Sequence, residues 1–268
     1  MRILKAVFER QLILIRLKQI IMAKLEGKNI NSFEELLAIA GPNFNILEEE
    51  IDIEIQKKFI AMSEEIKQRH NFAILQQKYL HDNSPLFDET IADDAKKEIL
   101  VILSYLPEPS AYRAIELFSK LDTPLKKWAI VSLQQSRILL QSSLLDDPGI
   151  FISTGLGGQG SLLRFFIVLL HATPQGLEEY QKNLMKKEIQ LAITKAQGIV
   201  EEIEYTPAYT TLLLLLPLQI DLPTVLNGII QECNQYGHFL RNNLLITNVK
   251  RIPNEEIEHI IKNTSPKN

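Results

Sequence analysis

The residues best suited to chemistry lie in Gly155-Leu156-Gly157-Gly158-Gln159-Gly160, where four of six positions are glycine in a chain of 268 residues with 11 glycines. Glycine reaches φ > 0 cheaply and lets a backbone approach another group closely. A run this dense presents main-chain N–H groups that could cradle an anion, and Arg164 follows as a cationic partner. Gly155, Gly157 and Gly160 match the Gly-x-Gly-x-x-Gly spacing of dinucleotide sites, which requires a helix N-terminus just beyond the loop. Here Leu162–Leu170, with Arg164 as its one charge, reads instead as a strand covered on both faces. No Lys-Ser/Thr follows the glycines, so a P-loop is not formed either. Two readings are left. Gly155, Gly157, Gly158, Gln159, Gly160 and Arg164 make a small-ligand (anion) or hydrolytic site, or the glycines serve only the geometry of a hairpin.

Other constellations lack the required spacing. His70, His81, His171, His238 and His259 are isolated from one another, with no metal-binding pair, and His171, at the end of an apolar run, reads as a satisfied core residue. Cys233 sits in a helical stretch without a neighbouring histidine, which argues against a nucleophile. Glu201, Glu202 and Glu204 read as the solvated face of an edge strand. No catalytic, metal or cofactor set emerges, and no cofactor is expected.

Ser153-Thr154-Gly155-Leu156-Gly157-Gly158-Gln159 resembles the catalytic Gly-Gly-Gln loop of peptide-chain release factors and related peptidyl-tRNA hydrolases. The resemblance implies a glutamine, here Gln159, and adjacent backbone placed at a peptidyl-tRNA ester. It covers seven residues. The family continues with a hydrophobic residue and Asn where this chain has Gly160-Ser161, and the basic surface that ribosomal RNA demands is missing.

Net charge is −4 with 46% hydrophobic and 23% charged residues, the composition of a globular protein. This argues against DNA, RNA or anionic lipid as a partner. One cysteine excludes an intramolecular disulfide and fits a reducing compartment. The N-terminus lacks an uninterrupted apolar signal segment and no run approaches the ~18 residues needed to span a bilayer. A cytoplasmic protein without a membrane span is expected.

The elements that would hold the glycines divide into two halves. Residues 1–135 read as helical. An amphipathic helix over 1–26 is followed by a capping-box helix at Ser32–Ala40. A long helix, or two collinear ones, covers Ile46 to about Leu80, and shorter helices fall at 93–106, 110–121 and 124–135. The last three, joined by tight proline links, resemble the helix pairs of HEAT-like repeats, without a fixed period. Residues 1–28 carry +5 and residues 29–66 carry −7, so the basic helix is expected to pack on its acidic neighbour. Residues 136–268 read as β-rich. A hairpin is expected from Arg137–Leu145, the turn Asp146–Gly149 and Ile150–Thr154. The order β-α-β-β-α-β follows from 161, then a helix, which is a ferredoxin-like arrangement. Its central strands should be the two most apolar, 161–171 and 209–216, with acidic Ile199–Tyr205 at an edge.

The expectation is therefore an α+β protein. Its helical N-terminal half precedes a ferredoxin-like domain carrying an added N-terminal hairpin. It acts as a non-enzymatic interaction or scaffold module that self-associates or binds a protein partner, the alternative being a ligand or hydrolytic site at Gly155–Gly160.

Overall fold

The computed structural model describes residues 44–145 and 150–264. The expected helices at 1–26 and 32–40, and the turn Asp146–Gly149, lie outside the described residues. The protein is α+β, with eight helices and antiparallel sheet strands among those residues. Two compact units divide between Ser153 and Thr154.

The first unit is mainly helical. Strand β1 (Phe44–Ile46) precedes α1 (Ile53–Lys67), α2 (Phe72–His81), α3 (Asp93–Ser104), α4 (Pro109–Ser119) and α5 (Lys126–Leu145), and β2 (Ile150–Ile152) pairs in parallel with β1. The helix expected from Ile46 starts later because Asp52 caps it, its carboxylate accepting from the Glu54 N–H at 2.8 Å. α3 is the centre of the unit: Ile99 to Ser104 are buried without interruption, as a helix surrounded by others requires. Phe59 meets Trp128 edge-on at 5.6 Å between ring centroids in the same core.

Arg137–Leu145 is helix, which corrects the expected hairpin and moves the end of the first unit from residue 135 to Ser153. The stretch from Lys126 to Leu145 contains no glycine or proline. Helix propagation, once nucleated, outweighs the weak β preference of one apolar run. Ser142 and Ser143 satisfy their hydroxyls within the helix, donating to the Leu139 and Leu140 carbonyls at 2.9 and 2.8 Å.

The second unit carries β3 (Gly158–Gln159), β4 (Leu162–His171), α6 (Glu179–Lys195), β5 (Ile199–Tyr205), β6 (Tyr209–Pro217), α7 (Leu222–Asn234), β7 (Leu240–Thr247) and α8 (Asn254–Thr264). The four long strands lie in the order β7–β4–β6–β5 and all neighbours are antiparallel. β3 pairs with Leu162 and Leu163 at the start of β4. The apolar strands β4 and β6 are central and acidic β5 is at one end. Ile150–Ile152 does not join this sheet, so β7 keeps the place beside β4 and the glycines form a longer loop.

Alternation along the central strands feeds two cores. Ile167, Leu169, Leu212, Leu214 and Leu216 pack with buried residues of α6 and α7, among them Met185, Ile189, Leu226 and Ile230. Phe166, Val168, Leu170, Tyr209 and Leu213 face the other way, onto Leu156 and Ile257.

Candidate functional site

The glycine segment folds over that second sheet face. Gly155 to Gly158 are buried, while Gln159 and Gly160 are exposed at the tip of the β3–β4 turn. Leu156 is fully buried among Phe166, Val168, Leu170 and Tyr209. Its N–H donates to the Asn248 carbonyl at 3.1 Å. Gly155 crosses the chain just after β7 so closely that a Cβ on it would stand 1.6 Å from the Val249 carbonyl oxygen. Gly157 and Gly160 hold φ of 69° and 58°, a region that favours glycine. Three of the four glycines thus serve two purposes, close approach at Gly155 and left-handed backbone at Gly157 and Gly160.

Arg164 lies under the same loop. Its Nε and Nη2 donate to Glu201 Oε2 and Oε1 at 2.6 and 2.9 Å, and its Nη1 donates to the Leu156 carbonyl at 2.8 Å. Its main-chain N–H donates to the Gly157 carbonyl at 3.1 Å. The guanidinium therefore ties the glycine loop to β5 through a bidentate ion pair, a geometry that Arg forms and Lys does not. Of the six residues singled out from sequence, buried Gly155, Gly157 and Gly158 and half-buried Arg164 meet in one junction. Gln159 and Gly160 stand outside it.

A second ion pair runs parallel to the first. Arg251 donates from Nη1 and Nη2 to Glu202 at 2.5 and 2.8 Å, and its guanidinium holds the Glu202 carboxyl below its ordinary pKa. Consecutive strand residues normally point to opposite faces. A register shift between Val200 and Glu202 inserts Glu201 as an extra residue, so both glutamates reach arginines, a use of a β-bulge to re-aim side chains. The expected solvated face holds for Glu201 and Glu204, which are exposed, while Glu202 is half-buried; what the sequence did not show is that Glu201 and Glu202 are paired with arginines. In the structure Val200 and Ile203 both pack with the α6/α7 core, an odd separation that the extra residue accommodates.

His171 is buried, with Nδ1 3.1 Å from the Pro207 carbonyl and Nε2 2.9 Å from Thr210 Oγ1. A carbonyl only accepts, so Nδ1 carries the proton and Nε2 accepts from the hydroxyl. Burial pulls its pKa below 6.5. Cys233 is fully buried and its thiol is pushed up to about 12, which opposes nucleophilic use. Among the described residues no three His, Cys, Asp or Glu side chains gather as a metal site requires, and no helix is long and apolar enough to cross a membrane.

No protein-family model and no curated protein matches this chain. Among solved structures it is similar to a "putative transposase" from Deinococcus radiodurans, at 17% identity and a TM-score of 0.33, over 38% of this chain and 90% of that one.

Proposed function

We propose that this chain is a non-enzymatic interaction or scaffold module of the cytoplasm that self-associates or binds a protein partner. The observation that carries the reading is an apolar surface on the helical unit. Phe87 (40% exposed) packs edge-on against Phe118 of α4 at 6.0 Å, and Leu117 (58%) and Leu121 (44%) are exposed at the C-terminal end of the same helix and just beyond it. Large apolar side chains clustered on a surface mark contact sites more often than single exposed ones. The junction at Gly155–Gly158 supports the same reading, because Arg164 there faces a carboxylate and a carbonyl. We read the second unit as a ferredoxin-like sheet, supported by its antiparallel β7–β4–β6–β5 order, and α3 to α5 as HEAT-like helical pairs.

The alternative is a small-ligand or hydrolytic site at the glycine turn. Its support is the exposure of Gln159 and Gly160 at the hairpin tip, and a ligand anion would have to displace Glu201 from Arg164. Sedimentation velocity separates the readings. The wild type should form complexes as concentration rises, or in the presence of its partner, and the Leu117→Glu, Leu121→Glu variant should not. A variant that assembles like wild type would remove this surface from the account.

A further inference from the structure

The sheet of the second unit has two ends, and they are finished differently. β5 at one end carries Glu201, Glu202 and Glu204 and a bulge, devices that turn away a further strand. β7 at the other end has no charge from Asn242 to Val249. In an antiparallel ladder the N–H and C=O of one residue point to the same side, and successive residues alternate. At the end of β4 the Ala172 N–H donates to the Phe239 carbonyl at 2.8 Å, and the Arg164 N–H donates to the Gly157 carbonyl at 3.1 Å. The His171 N–H points the other way, donating to the Ala208 carbonyl at 2.9 Å. The register of β4 with β6 is unbroken, so Phe166 and Val168 turn their main chain toward β7, where Thr247 and Leu245 stand opposite. Leu244 and Ile246, opposite Leu169 and Ile167, therefore point their N–H and C=O groups away from β4 along the plane of the sheet. Those groups have no partner among the described residues.

This open stretch is closed at both ends. The Asn234 carboxamide clasps Leu240 as a neighbouring strand would, accepting from its N–H and donating to its carbonyl at 2.9 Å each. Beyond β7 the Leu156 N–H donates to the Asn248 carbonyl at 3.1 Å. Between these stops lie two donors and two acceptors, in pairs about 6.8 Å apart along the strand. Apolar side chains flank them on both faces: Leu244 and Ile246 are half-buried against the α6/α7 core, and Leu245 against the core on the other face. We propose that this edge takes a short extended segment of a partner protein, added to the sheet as a further strand. The hydrogen-bonding pattern selects the occupant, because an extended backbone presents a donor and an acceptor at this repeat. The apolar rim adds the side chains such a segment needs, uncharged and apolar on both of its faces, and the two stops keep it short. The inference rests on the reading that the chain binds a protein partner, though not on Leu117 and Leu121, which belong to the other unit.

Amide hydrogen exchange read by NMR on the whole chain tests it. In the free protein the Leu245 and Thr247 amides should exchange slowly and those of Leu244 and Ile246 fast. The probe is a capped peptide of alternating Val and Thr with a lysine at each end, added at millimolar concentration. It should slow exchange at Leu244 and Ile246 and leave α4 unchanged. The same peptide N-methylated at every amide keeps its apolar side chains and should bind about tenfold more weakly, through loss of its main-chain donors. Ile246→Pro removes an N–H that the ladder does not use, so it should abolish the effect at Leu244 while the other amides of the sheet keep their protection. If neither peptide slows the two amides, or both do so equally, the edge is not a strand site. If the two amides are slow in the free protein and become fast on dilution, a second copy holds the edge and the proposal is overturned in favour of self-pairing. Failure here with assembly still lost in the Leu117→Glu, Leu121→Glu variant leaves the protein-contact reading standing; failure of both removes it.

Discussion

Gly155 lies against the main chain of Val249, with 1.6 Å between the position of an absent Cβ and the carbonyl oxygen. Backbone on both sides leaves no side chain to swing away. Gly155→Ala should destabilise the sheet unit at or beyond the upper end of the ~1–3 kcal/mol range of overpacked sites. Gly228→Ala, on α7 where an added methyl meets nothing within 4 Å, should instead stabilise by about 0.5–1 kcal/mol. Urea unfolding of both variants checks the contrast.

Cys233 is the chain's one cysteine and is fully buried in the sheet unit. With its thiol pushed up to about 12 by burial first and then by Glu188 and Glu232, it should not react with a maleimide in the native protein at neutral pH. It should label fully in denaturant. Rapid native labelling would show that α7 does not pack as described, and slow labelling makes Cys233 a reporter for unfolding of this unit alone.

The Arg164–Glu201 pair is 17% and 23% exposed, between the surface and buried cases. Arg164→Gln and Glu201→Gln should each cost about 1–2 kcal/mol, above a surface pair and below a buried one. The double variant should cost less than the sum, since each single change strands a partner. Cys233 labelling in urea gives all three values; strict additivity would mean the pair is not coupled.

His171 has its folded pKa lowered, by burial first, against an opposing contribution from the Pro207 carbonyl. The folded state therefore binds fewer protons than the unfolded one. Stability from the neutral ring is fully present above the unfolded value of about 6.5 and is lost as pH falls through and below it. Urea midpoints read through Cys233 should drop between neutral and mildly acidic pH, and His171→Gln should flatten that dependence while lowering stability overall. A slope unchanged by the substitution would assign it to other groups.

The sheet was legible because its strands bury both faces and its edge is acidic: Leu162–Leu170 and Tyr209–Leu216 carry one charge between them, and β5 carries three glutamates. Arg137–Leu145 was misread because an uninterrupted apolar run fits a buried strand and a buried helix alike; the lack of a breaker back to Lys126 was the better guide. The glycine segment was found but its partner was not. Gly155 needs Val249, 94 positions later, and no local pattern reports a contact at that separation. The bulge at Glu201 left a trace in the broken alternation, whereas the pairing of Arg251 with Glu202 left none.

Gly155–Gly158 and Arg164 close the sheet face, and we propose that the chain acts through protein contacts. Native mass spectrometry of the purified wild type tests it most directly. The account predicts the mass of the bare chain and of its assemblies, with no small-molecule adduct. A bound molecule retained by wild type and lost in a Gln159→Ala or Arg164→Gln variant that remains folded would contradict it, and would make the glycine turn a site.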